Sequence, residues 1–449
     1  MASVFPGRIG NPETDHLPLA ELISEWPVIT GLRLTAPSPP GIMSSVKAAL
    51  VAAAFVLVGK AYAAQLPHYD VTASVDTGRG IITASVKVTL GASSLQAVNE
   101  FQLGTTYEVS SVSASPGARA ELSHPNESNA QTVIVRCQTP PSQDVEERLH
   151  YRGLLAPTGT PPLNLIQPNL VELNVDSFWL PTARGFPPFT VRADIAGIPP
   201  DLGVVANGVV RRSGDHVLIS RESGDIDLAL VAIRGLHHSV SDGFELYAAD
   251  LATETARVYL RHGPSIVKFL ESWFGPMPGR PARVVVVNRE RKSGYSRPGY
   301  IVVTESSHGS EAASAKFMAH EFAHAWWHSG DPRTENRWLS ESMAEYISLR
   351  YIESALGPAN RDELLAPKRE IAAKAGPMLG AGERTDAELY SKGPLLLFDL
   401  ENRIGRARLD QLFASLAPHP PAITADFMSA LAAVAGAEAA AAFNEEMHR

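Results

Sequence analysis

The segment HEFAHAWWH, His320 to His328, places two histidines four residues apart with a glutamate beside the first. On a helix, residues at that spacing lie one above the other, so His320 and His324 point the same way. Two such imidazoles can take adjacent corners of a tetrahedral Zn2+, and Glu321 then falls beside the water the ion would hold. The chemistry this would support is hydrolysis. The ion lowers the pKa of its water to about 7 and polarises a carbonyl, while Glu321 takes the water's proton and delivers it to a leaving amine. A third ligand must come from elsewhere in the chain. Glu341 is the candidate: it opens the next expected helix, in WLSESMAEY, with residues 325–340 between it and His324. His328 continues the histidine row, but it lies roughly 12 Å along the helix axis from His320. Zn–N bonds are about 2.0–2.1 Å, so one ion cannot hold all three, and His328 reads as a supporting or surface histidine.

These residues need rigid elements to carry them. From Gln65 to about Gly243 the pattern is strand-like. Ile82, Ala84, Val86, Val88 and Leu90 alternate with Thr83, Ser85, Lys87 and Thr89, and further short runs cover 132–137, 189–195, 217–220 and 226–233. We expect an antiparallel β-sandwich-like domain over 64–243, with long irregular loops near 157–188. After Gly243 the period changes. Ile266, Phe269, Leu270 and Trp273 recur at helical spacing until Gly275, then RVVVVN (283–288) and YIVVT (300–304) read as buried strands. The metal helix is expected over 311–328 and the Glu341 helix over 339–355, separated by Gly330-Asp331-Pro332. From Ala387 the chain reads as largely helical to its end. The fold class is therefore α+β and multidomain: a β domain, then a mostly helical catalytic domain over 244–449.

The 449 residues suffice for two or three domains with sizeable cores, and 45% hydrophobic with 19% charged residues describes a globular chain. A net charge of −9 argues against nucleic acid or an anionic membrane as the main partner. The single cysteine, Cys137, permits neither an internal disulfide nor a cysteine-based zinc site, and it reads as a small buried hydrophobe. Residues 1–42 are proline-rich and lack a sustained period, and read as a non-native or disordered extension. From Met43 there follow Lys47, an apolar run from Ala48 to Val58, and the small-residue ending Ala61-Tyr62-Ala63. This is the anatomy of a signal peptide over 43–63, cleaved after Ala63, and it predicts an exported protein. The apolar run is too short for a stable membrane span, which needs about twenty residues.

HEFAHAWW followed by WLSESMAEY resembles the aminopeptidase N family of gluzincin zinc metallopeptidases. LYSKGPLLLFDLE is similar to that family's Tyr-x-Lys-Gly segment, and ESWFGPMPGRPARVVVV to the segment entering its catalytic domain. The match covers much of 245–405; over 65–243 only HYRGLL and FPPFTVRADI are similar, without a distinctive motif. The resemblance implies a thermolysin-like catalytic domain, a peptide substrate, and one zinc per chain held by His320, His324 and Glu341. It implies Glu321 as general base and Tyr390 as donor to the transition-state oxyanion.

The chain departs from the family in two places. The interval between His324 and Glu341 is two residues shorter than usual, a change a connecting loop tolerates at little cost. Counting the family's usual interval from His324 would instead put Met343, a poor zinc donor, at the ligand position. Glu345, four on from Glu341, shares its face and is the remaining competitor, although the WLSE context favours Glu341. Second, Ser296 stands where the family has the glutamate that binds a substrate's free amino group, so the amine anchor is lost unless Glu172, Asp176 or Glu305 replaces it. Two readings follow: a peptidase with a degenerate amine-anchoring motif, or a peptide-binding relative that keeps zinc without turnover. The presence of Glu321 favours the enzyme.

Overall fold

The computed structural model describes residues 66–449, apart from 92–97, 117, 124–129, 138–143, 156, 158–162, 289–293, 306–308 and 332–333. The expected signal peptide and the stretch before it lie outside the described residues. So does the side chain of Cys137.

The period-two alternation around Val86 becomes the strand Ile81–Leu90, inside a seven-stranded sheet. The order across that sheet is Val209–Ser213, His216–Asp225, Phe189–Ala196, His68–Asp76, Ile81–Leu90, Val145–Leu154 and Tyr107–Ala114. Val71, Ile82, Val86 and Leu149 point inward and meet Phe101, Leu103, Val133 and Val135 of a four-stranded sheet, giving the two facing layers of a sandwich. One pair departs from the antiparallel expectation: His68–Asp76 runs parallel to Phe189–Ala196. Parallel neighbours need a long crossover, and the intervening chain, which builds the other layer, supplies it. Residues expected as irregular loop carry Leu165–Gln167 and Leu170–Leu173, which join Leu202–Ala206 and Leu230–Arg234 in a further sheet.

The C-terminal half opens on a five-stranded sheet ordered His237–Ser241, Phe244–Ala248, Ala282–Val287, Tyr300–Thr304 and Gly294–Arg297. Its three middle strands are parallel. Val284, Val286, Ile301 and Val303 face the helices, while Val285, Val287, Tyr300 and Val302 face Val205 and Val231 of the β domain. Burial on both faces is why these strands read as unbroken apolar runs. The seam between the halves also holds an ion pair. Arg297, from the edge strand, donates to Asp227 Oδ2 at 2.8 Å, and that oxygen also accepts the Val175 amide at 2.9 Å.

Eight α-helices follow among the described residues: α1 (Glu254–Phe274), α2 (Glu311–Ala323), α3 (Trp338–Leu356), α4 (Pro358–Ala372), α5 (Gly393–Ile404), α6 (Arg406–Leu416), α7 (Thr424–Ala435) and α8 (Ala437–Met447). Helix α2 starts at the Ser310 cap, whose hydroxyl accepts the Ala313 amide, and it stops five residues before the expected His328. His324 remains right-handed at its C-cap, after which the chain turns so that Trp326 and Trp327 bury themselves in the core. Among the described residues no helix is long and apolar enough to cross a membrane.

Candidate active site

Helices α2 and α3 pack side by side and present their polar residues to a common point. His320 Nε2 and His324 Nε2 lie 3.5 and 3.8 Å from Glu341 Oε2, and one donor atom from each residue falls within 4.8 Å of the others. Two ligands at tetrahedral corners of one zinc would sit roughly 3.4 Å apart, close to the separations of Glu341 Oε2 from both imidazoles, so this donor set suits the ion.

The far side of each imidazole decides which nitrogen faces the triad. His320 Nδ1 is 3.0 Å from Glu345 Oε2, and His324 Nδ1 is 2.9 Å from the Trp327 carbonyl. A carboxylate and a carbonyl can only accept, so each Nδ1 carries a proton, and Nε2 is the nitrogen that would offer a lone pair to a metal. Glu345, the rival for the ligand position, thus stands behind His320. It is held there by Lys316 at 2.6 Å and Lys368 at 2.7 Å, and Lys368 also donates to the Tyr390 carbonyl at 2.7 Å. The spacing carried a signal for this support: Lys316 is four residues before His320 and Glu345 four after Glu341, so each shares a helix face with a candidate ligand.

Buried charges shape the site. Burial opposes the His320 imidazolium, but Glu341 and Glu345 outweigh it and push its pKa up to about 9. Burial likewise opposes the Glu341 carboxylate, yet His320, His324 and Arg337 bring it down to about 2. Glu321, half-buried next to His320, is pushed above the usual carboxylate range by burial, against the pull of His320 and His324. An elevated carboxyl suits a group that must accept a proton and give it back.

Tyr390 lies in a π-helical turn, Glu388–Lys392, and its hydroxyl donates to Glu341 Oε2 at 2.9 Å. The wide turn shifts the register of the following helix, a device frequent at functional sites. Of the other residues weighed from sequence, Ser296 donates through Oγ to the Glu321 carbonyl at 3.0 Å, pinning the edge strand Gly294–Arg297 to α2. Glu172 is fully buried, and it adds to the effect of burial in raising the pKa of Tyr300. Asp176 lies within electrostatic reach of Arg297, one residue from Ser296. Glu305 continues the sheet, its amide bonded to the Val287 carbonyl. His328 is exposed, beside Trp326 and His419. Trp326, Trp327 and Trp338 are core residues.

No family model and no curated protein matches the chain. Solved structures do. The chain is similar to an M1 zinc metallopeptidase from Deinococcus radiodurans, with a TM-score of 0.67 at 21% identity over 86% of this chain and 93% of that one. A two-domain M1 zinc metallopeptidase bound to L-arginine gives 0.68 at 21%, over 86% and 94%. Yeast LTA4 hydrolase gives 0.64 at 15%, over 84% of this chain and 66% of its own. The likeness is one of fold: a β-rich N-terminal region and a helical C-terminal region, arranged as in the two-domain M1 zinc metallopeptidases.

Proposed function

We propose that this chain is a zinc-dependent metallopeptidase that hydrolyses peptide bonds, with His320, His324 and Glu341 holding one zinc ion. The observation that carries the reading is the convergence of two imidazole Nε2 atoms and one carboxylate oxygen beside Glu321. The M1 fold supports it, as does a structural neighbour that binds the peptide Tyr-Ser-Ala. Bound zinc would supply Lewis acidity and a water acidified to near neutrality. Everything else falls to the chain's own side chains. Glu321 takes a proton from the attacking water and returns it to the departing nitrogen. The Tyr390 hydroxyl, freed from Glu341 Oε2, donates to the oxygen that gains charge. Glu345, Lys316 and Lys368 keep the His320 ring aimed while this happens.

Purified protein should contain one zinc and hydrolyse peptides in a chelator-sensitive way. Glu321→Gln should retain the zinc and lose about 10²–10⁴ in kcat; a variant with unchanged turnover would refute the assigned role. The finer reading concerns the amino end of the substrate. The enzyme is aminopeptidase-N-like but has Ser296 in the amine slot, so it discriminates weakly between free and acetylated amino termini. Desolvating an ammonium without a carboxylate costs several kcal/mol. A free-amine preference of about a thousandfold in kcat/KM, roughly 4 kcal/mol, would show that Asp176 or another carboxylate restores the anchor. Export follows from the 43–63 segment, and the exported protein should begin at Ala64 on terminal sequencing; finding residues 1–42 on it would overturn this.

A further inference from the structure

Arg337 differs from the other shielded arginines of the catalytic half. Arg297 is bound to Asp227, Arg350 to Tyr346, Glu401 and Asp410, and Arg384 to backbone carbonyls at 377, 380, 381 and 382. Each satisfies several of its five N–H donors. The Arg337 side chain is only 15% exposed, yet its one charged neighbour among the described residues is Glu341 Oε1, with Nε at 4.0 Å. That is beyond hydrogen-bond range. Its N–H donors therefore meet no protein acceptor among the described residues, and they stay accessible to an incoming anion.

Its place indicates which anion. Glu341 turns Oε2 toward both imidazoles and Tyr390, and Oε1 toward Arg337, so the guanidinium flanks the triad on α3. The edge strand flanks it on α2, where Ser296 bonds to the Glu321 carbonyl. Glu335, two residues before Arg337, binds the Gly380 amide and brings the loop preceding Tyr390 to the same helix end. A substrate whose amino end follows the edge strand would carry its other end toward Arg337. We propose that Arg337 is a specificity-determining residue that binds a substrate carboxylate on the leaving-group side of the scissile bond. The inference rests on the peptidase reading and narrows it to short peptides with a free carboxyl terminus or an acidic residue there. Planar bidentate pairing with a carboxylate is what a guanidinium does best.

The test compares Leu-Ala with Leu-Ala-amide, and Leu-Glu-amide with Leu-Gln-amide, in wild type, Arg337→Met and Arg337→Lys. Wild type should prefer the carboxylate member of at least one pair by about tenfold or more in kcat/KM, mostly through KM. The first pair reports a terminal carboxylate and the second an acidic side chain. Arg337→Met should bring the ratio close to one, and Arg337→Lys should restore part of it. If Arg337 merely supported Glu341, its loss would slow both members alike and leave the ratio intact, which would overturn the proposal. So would a wild type with no preference in either pair. Should Arg337→Met fail to fold, the comparison of Arg337→Lys and Arg337→Gln takes its place. The same peptides titrated calorimetrically onto Glu321→Gln separate the two readings. Arg337-dependent carboxylate binding without wild-type turnover would sink the peptidase and keep this site; turnover with no carboxylate preference would do the reverse.

Discussion

Glu341 and Glu345 are the same residue type on one face of α3, yet their surroundings give them different work. Glu341 meets the Nε2 atoms of both histidines, whereas Glu345 accepts from His320 Nδ1 and two lysines. Removing a metal-binding carboxylate subtracts a ligand; removing a carboxylate behind an imidazole costs only orientation and basicity. Glu341→Gln should therefore purify with little zinc. Glu345→Gln should keep one zinc per chain but bind it about 10–100-fold more weakly, read by competition with a chelator. Zinc retained in Glu341→Gln and lost in Glu345→Gln would reverse the two roles.

At the scale of elements, the position of Tyr390 depends on a helix junction that leaves no space for a methyl group. A Cβ on Gly393 would collide with Ser342 Oγ, and that hydroxyl donates to the Leu389 carbonyl inside the π-helical turn. Gly393 is needed for close approach between α3 and the start of α5, since its backbone is ordinary right-handed helix. Gly393→Ala should destabilise the protein by about 1–3 kcal/mol in denaturant unfolding. Because the displaced turn carries Tyr390, kcat should fall while zinc content stays at one. Wild-type stability and rate in this variant would mean the junction is looser than the contact implies.

At the scale of the whole molecule, the β domain contains a buried titratable group that the catalytic half does not use. Glu147 is fully buried on the inner face of the strand Val145–Leu154, and neither carboxylate oxygen has a hydrogen-bond partner among the described residues. Burial pushes its pKa up to about 8, from 4.5 when unfolded. The folded state thus holds this proton more tightly than the unfolded chain. Its contribution to stability is complete below pH 4.5, is lost as pH rises through about 8, and stays lost above that. Wild type should lose up to about 5 kcal/mol of stability from this group across that window. Glu147→Gln should flatten that part of the curve, as followed by chemical denaturation at a series of pH values. An unchanged slope would show that the carboxylate finds a partner or water.

Helical spacing alone made His320 and His324 neighbours and set Glu321 beside them, because four residues make about one turn whatever surrounds the helix. Unbroken apolar runs marked the strands 283–288 and 300–304 as buried on both faces, and alternation marked the β domain. Periodicity could not choose between Glu341 and Glu345, and only the WLSE context favoured Glu341; what sets the two apart physically is where Lys316 and Lys368 arrive from α2 and α4. Nor could a sequence pattern show the π-helical turn under Tyr390, because a single wide turn leaves a helical period almost unchanged. The parallel pairing of His68–Asp76 with Phe189–Ala196, the Arg297–Asp227 seam and the unsatisfied guanidinium of Arg337 all join residues far apart in the chain or depend on what fails to reach them. Local sequence sets which way a side chain points along its own helix or strand. What stands opposite it is set by packing between elements, and only the tertiary structure decides that.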